Sequence, residues 1–333
     1  MLFGVFFFSY ILTFGMLRYA LSNSLIDIPS ARSSHWIPTP RGGGASVAIS
    51  FLCALPVLLL VGGVDKAGFI ALLGAGIIIA ITGFVDDHGH VSARWRVLWH
   101  CIAAVWVLYW LGGVPEISIF GVSVTVSWVG YILAILYLVW LLNLYNFMDG
   151  IDGLAAVETV GVCLAMCLVY FISGYANLIY LPLLLASAVC GFLLWNLPPA
   201  KIFMGDVGSG FIGIVVATIS MHAAWYSTQL IWCWLILLGV FIVDATLTLV
   251  DRFFSGEKIY VAHRGHAYQC ASRYFASHGK VTLGVSAINF LWLTPMSAMV
   301  AAGWLAGVVG LAISYAPLIM LVFRVKSLSV DEM

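Results

Sequence analysis

Between Asn143 and Ala155 the chain reads NLYNFMDGIDGLA, two amides, two carboxylates and two glycines set between long apolar runs. Asn143 and Asn146 are three residues apart, so they share one face of a helix that is about to end. Gly150 and Gly153 loosen the backbone around Asp149 and Asp152. Uncompensated carboxylates beside hydrocarbon are costly, so this cluster reads as a functional site. A loop that only turns the chain would not need amides and acids at intervals of three.

Other segments carry compatible chemistry. Asp86 and Asp87 in GFVDDHGHVSARWR suit a divalent cation, or a base placed beside a phosphate, although a solvated helix end would look the same. Arg94 and Arg96 follow, to hold a phosphate or to anchor the next helix. Asp206 in FMGDVGSGFIG is a candidate metal ligand whose helix start would face N–H groups to a phosphate, or simply a helix cap. Lys201 stands close enough in sequence to assist. Arg41 precedes Gly42, Gly43 and Gly44, backbone that can present N–H groups to an anion. In YVAHRGHAYQ, His263, Arg264 and His266 are donors for a sugar or phosphates. Asp244, Thr248 and Asp251 share one helical face. Asp244 then lies about 10 Å from Asp251 along the axis, inside the bundle and in need of a partner.

The elements that must position these residues cross a membrane. Of 333 residues, 63% are hydrophobic and 8% charged, with mean hydropathy +1.09. A soluble domain carries roughly 25% charged residues. Apolar runs near 2–21, 44–63, 67–85, 97–113, 128–145, 154–173, 177–195, 207–224, 229–250, 281–302 and 304–323 predict about 11 transmembrane helices. The fold class is therefore an all-α polytopic integral membrane protein. Residues 114–127 alternate apolar and polar, predicting a short β-hairpin at the periplasmic surface. With this count, 13 of the 14 basic residues fall on one side, all but Lys66. That bias places the N-terminus outside, the C-terminus and polar loops in the cytoplasm, and nearly all the acids with the bases. The first cation, Arg18, follows the first apolar run, which argues against a cleaved signal peptide. The seven cysteines fall mainly within apolar runs and form no C-x-x-C pair, and Cys163 and Cys167, which share a helical face, read as buried small apolar residues.

Taken together, PxxRSSHxxPTPRGGG, DDH, NLYNFMDGIDGLA, FMGDVGS and HRGHAYQ resemble the polyprenyl-phosphate N-acetylhexosamine-1-phosphate transferase superfamily, of the glycosyltransferase family 4 type, over almost the whole chain. HRGHAYQ looks more like enzymes that start O-antigen or other surface-glycan (lipopolysaccharide) chains than like the peptidoglycan branch. His90 stands where the family often has a third acid. The resemblance implies one membrane-embedded transferase domain over 1–333 with cytoplasmic loops 22–43, 86–96, 146–153, 196–206 and 251–280. It implies a multi-pass protein of the bacterial cytoplasmic (inner) membrane that moves a sugar 1-phosphate from a UDP-N-acetylhexosamine to undecaprenyl phosphate, releasing UMP. Mg²⁺ is the implied cofactor, with Mn²⁺ as a substitute. Asp206 and Asp149 would hold the metal, and Asp86 or Asp87 would position or deprotonate the lipid phosphate. Asn143, Asn146, Asp152, Lys201, Arg41, Arg94, His263, Arg264 and His266 would bind substrates. Membrane lipids are expected partners, nucleic acid is not, and a homodimer is compatible with the pattern.

The competing reading from another class is a transporter of an anionic substrate. It predicts broken helices and paired charges at mid-membrane in two related halves, and the chain has no such repeat. A CDP-alcohol phosphotransferase or an aromatic prenyltransferase would share acidic motifs on helices, but the Ala-Arg arrangement of the one and the paired D-D-x-x-D of the other are missing.

Overall fold

The computed structural model describes residues 1–29, 35, 37–89, 91–119, 122–124, 127–256 and 264–330. In chain order the first helices are α1 (Leu2–Ser22), α2 (Ala45–Leu60), α3 (Lys66–His88), α4 (Ala93–Trp110) and α5 (Trp128–Met148). Then come α6 (Leu154–Ile172), α7 (Tyr180–Asn196), α8 (Gly205–Ala224), α9 (Thr228–Leu237) and α10 (Gly239–Phe254). The last are α11 (Ala267–Tyr274), α12 (His278–Ile288), a π-turn at Asn289–Leu293, α13 (Thr294–Ala301) and α14 (Gly307–Val330). Two antiparallel pairs complete the fold: β1 (Ile26–Asp27) with β2 (Thr39–Pro40), and β3 (Ile117–Ile119) with β4 (Val122–Val124). The second pair is the hairpin that alternation predicts.

Among the described residues, 8 helices are long and apolar enough to cross a membrane, or 9 if a bent pair is one span. Each of the other two expected runs also holds a helix, in α2 and α4. The expected straight span over 229–250 is instead broken: α9 and α10 meet at 71°. Hydropathy is blind to such a break because Leu238 and Gly239 are as apolar as their neighbours. Gly239 makes the bend fit, since a Cβ there would lie 3.0 Å from the Tyr315 ring.

Helix α8 is the axis of the bundle, buried over the whole 18-residue stretch that marks it as a span. It packs against α2, α3, α5 and α9. Lipid is as apolar as leucine, so helices in a membrane gain by close backbone approach at small residues. A Cβ on Gly44 of the α2 N-terminus would lie 2.2 Å from the Gly208 Cα, and one on Gly83 of α3 would lie 2.5 Å from the Val207 Cα. Those contacts press the polar ends of α3 and α8 together. At the opposite end of the same two helices, the Asp65 side chain caps α3 and meets His222 Nε2 at 2.7 Å.

Candidate active site

The acids and amides of the sequence converge at one end of the bundle. Met148 closes α5, Asp149 is its C-cap, and Gly153 (φ +75°) opens α6 in the left-handed region that glycine favours. Asn196, at the end of α7, holds this turn: its Oδ1 accepts from Gly153 N at 3.0 Å while its Nδ2 donates to Ile202 O at 3.0 Å. Between these elements lies a polar cavity of about 250 Å³. Its walls include Arg41, Asp87, Asn146, Asp149, Asp152 and Asp206.

Asp87 is 3% exposed, and its two carboxylate oxygens accept from Asp206 N and Val207 N, each at 3.1 Å. It thus caps α8 from outside the helix and places negative charge against the positive end of the helix dipole. Arg41 braces it by donating to the Asp87 carbonyl at 2.7 Å. Asp86 accepts from Val91 N and from Arg96, both at 2.9 Å. Both members of the pair therefore already have donors within the protein.

Asp206 accepts from the Asn146 side-chain amide, which also donates to Ser209 Oγ at 3.2 Å. Arg96 stands 4.0 Å from the other Asp206 oxygen. Asp149 accepts no hydrogen bond from any described residue. Burial raises its carboxyl well above the usual range, and the charges of Asp206, Asp87 and Asp152 raise it further. Asp152 behaves oppositely. Burial alone would raise it, but a hydrogen bond from His278, the Ala200 N–H at 3.1 Å and the charges of His278 and His35 hold it below the usual range. Asp149, crowded by like charge, is thus the acid in this cluster that a bound cation would relieve most. Among the described residues no group of three His, Cys, Asp or Glu side chains is placed to hold a metal ion.

A second cavity of about 150 Å³ opens between α3, α4, α5 and α8. Asn146 and Asp206 belong to both cavities. Apolar side chains such as Ile79, Val97 and Leu142 line the second one, with Asn143 and His100 at 3.4 Å from each other. A third, more open cavity of about 550 Å³ holds Arg264 and Arg273 and shares Asp152 and His278 with the first.

Several expected residues sit elsewhere. Arg94 is exposed and lines neither of the first two cavities. Lys201 lies over the Trp195 ring at 5.2 Å, outside the polar cavity. His266 is 5% exposed, stacked on Phe147 and Tyr268 with Nδ1 3.5 Å from Asp244, so it stands behind the cavity wall. His263 lies outside the described residues. Asp244 finds its partners in the Thr248 hydroxyl at 3.2 Å, in His266 and in the backbone: it accepts from Ala267 N at 2.8 Å and Tyr268 N at 3.0 Å, which fastens α11 to the bundle. Tyr268 in turn donates to Phe147 O at 2.9 Å. The sequence reading did not single out Asn196, Ser209, Gln269 or His278. Ser209 could have been found, three residues after Asp206 on the same face. His278 is a lone histidine at a helix start, with nothing local to mark it.

Fold and site together define a polytopic membrane protein with an acidic polar chamber and an apolar side chamber meeting at one aspartate. Residues 69–224 match the family described as Glycosyl transferase family 4. A probable undecaprenyl-phosphate N-acetylglucosaminyl 1-phosphate transferase of Bacillus subtilis (strain 168) is 29% identical, over 83% of this chain and 77% of its own. A decaprenyl-phosphate N-acetylglucosaminephosphotransferase of Mycobacterium leprae (strain TN) is 31% identical over 82% and 76%. A phospho-N-acetylmuramoyl-pentapeptide-transferase of Streptococcus pneumoniae (strain Hungary19A-6) is 30% identical over 56% and 61%. The chain belongs to the polyprenyl-phosphate N-acetylhexosamine-1-phosphate transferase superfamily of membrane sugar-phosphate transferases.

Proposed function

We propose that the protein transfers an N-acetylhexosamine 1-phosphate from a UDP-sugar to undecaprenyl phosphate, releasing UMP, as the first step of an O-antigen or related surface glycan. The observation that carries this reading is the meeting of a polar and an apolar cavity at Asp206 and Asn146. The polar chamber suits a nucleotide diphosphate, and the apolar chamber between helices suits the first isoprene units of a lipid acceptor. The named substrates of the relatives point the same way.

In this reading an oxygen of the lipid phosphate attacks the sugar-bearing phosphorus, and the bond to the UMP oxygen breaks. Two anions must approach, so a magnesium ion held by Asp206 and Asp149 would neutralise the phosphate oxygens. Asn146 fixes the orientation of Asp206. Asp87 holds the start of α8 so that Asp206 stays at the junction, and Arg41 steadies Asp87. Asp86 holds Arg96 within reach of both Asp206 and an incoming phosphate. Asp152, oriented by His278 and Ala200 N, presents an ionised acceptor to hydroxyl groups of the donor.

The test is UMP release by purified protein given undecaprenyl phosphate, Mg²⁺ or Mn²⁺ and a panel of UDP-N-acetylhexosamines. Release that needs lipid, donor and metal together is the expected result. Binding of donor with no release under any combination would overturn the reading in favour of a transporter.

A further inference from the structure

Lys201 is a cation that the proposed chemistry does not use. The structure places it in a row of side chains that begins on α1. Tyr10, Phe14 and Arg18 follow one another at intervals of four, so they form a stripe along one helical face. The Arg18 guanidinium lies over the Phe14 ring at 4.8 Å. Phe14 and Tyr10 pack against Trp195 at 5.7 and 5.1 Å between ring centroids. The Lys201 ammonium lies over the other end of that row, on Trp195. Arg18, Phe14, Trp195 and Lys201 therefore form one continuous ladder with a cation at each end.

Both cations are exposed, and neither has an acidic partner among the described residues. The ladder stands at the same end of the bundle as the active site, because Ala200, next to Lys201, contacts Asp152. It stands on the outer surface, since only 17% of the apolar stretch of α1 is buried within the protein. Aromatic rings and cations at a membrane interface are the groups that hold lipid headgroups. The apolar cavity lies between α3, α4, α5 and α8 rather than beside α1 and α7, so the ladder is separate from the acceptor chamber.

We infer that the Arg18–Phe14–Trp195–Lys201 ladder is a docking site for an anionic glycerophospholipid of the surrounding bilayer. Its headgroup would lie against the cations at the ends of the ladder and its acyl chains along α1. Charge complementarity selects this occupant, because two exposed cations with no acidic partner among the described residues favour a headgroup of net negative charge over a zwitterionic one.

The experiment is native mass spectrometry of the full chain in detergent, titrated with phosphatidylglycerol or phosphatidylcholine. It reads binding without turnover, so it stands apart from the transferase assay. The wild-type protein should retain phosphatidylglycerol in preference. Two cations each contribute about fivefold at an anionic surface, so R18Q with K201Q should lower that preference by roughly 10- to 30-fold. The charge-keeping pair R18K with K201R should stay within a few fold, which separates loss of charge from loss of fold. Equal retention by the glutamine variant, or no preference in the wild type, would overturn the inference. Displacement of the bound lipid by undecaprenyl phosphate at low micromolar concentration would also overturn it, by assigning the surface to the acceptor.

Discussion

Asp149 and Asp206 face the same chamber but differ in what holds them. Asp206 is oriented by Asn146, whereas Asp149 has only like charges around it. Asp206→Asn should lower UMP release by about 100-fold or more while the protein still inserts and folds, because a neutral amide would hold the proposed magnesium ion, and with it the charge that offsets the phosphates, far more weakly. Wild-type turnover in that variant would remove Asp206 from the site. Asp149→Asn should also be inactive, yet it should not be less stable. The folded-state carboxyl of Asp149 is raised above its unfolded value, so its contribution to stability is present at low pH and lost as pH rises. Without metal, the melting temperature of Asp149→Asn should therefore gain on the wild type from pH 5 to pH 8. A difference that does not change with pH would show that Asp149 is not crowded as described. The residue types of this site are legible in NLYNFMDGIDGLA and FMGDVGS, because acids and amides stand out against apolar sequence. The backbone partners of Asp87 and Asp244 are not legible, because a backbone N–H is one that any residue could supply.

The helices α3, α8 and α11 position these groups by different means. Close approach of glycines sets α8 against α2 and α3, so Gly44→Ala would drive a Cβ into the Gly208 backbone rather than into a movable side chain. Overpacking of this kind costs about 1–3 kcal/mol, which should appear as a clear loss of melting temperature. An unchanged value would mean that the two helices separate without cost. Helix α11 hangs on Asp244. Asp244→Ala would leave the buried N–H groups of Ala267 and Tyr268 without acceptors, at about 1–3 kcal/mol each. The expected result is faster proteolysis within 264–277 and a raised donor KM, with the rest of the bundle intact. Unaltered proteolysis would assign the anchoring to Tyr268 and Phe147 instead. The sequence alone places Asp244 inside the bundle in need of a partner. That a segment more than 20 residues later supplies backbone N–H groups to it depends on how α10 leaves α9 at 71°.

At the scale of the whole molecule, two chambers of different polarity share one aspartate, and that arrangement predicts separable kinetics. Val97→Trp, on the apolar chamber between α3 and α4, should raise the KM for lipid acceptor by about tenfold, as loss of apolar burial at one bulky contact would. Donor KM should stay unchanged. An effect on donor alone would place the lipid elsewhere. Composition and periodicity by themselves determined that the chain is a bundle of membrane helices with its acids gathered at helix ends, since hydrocarbon excludes unpaired charge wherever the fold goes. The superfamily is legible only as a resemblance, carried by motifs that each lie within a few consecutive residues. Only the tertiary structure decided which of those groups meet. His266 and Lys201 look like site residues in sequence, but packing turned one inward onto Asp244 and the other outward onto Trp195. Asn196 and His278 look unremarked in sequence, yet one holds the turn at Gly153 and the other meets Asp152 in the chamber wall. The physical reason is range: hydropathy and helix periodicity act within one segment, whereas side-chain direction and hydrogen-bond partnership are settled by helices that lie far apart along the chain.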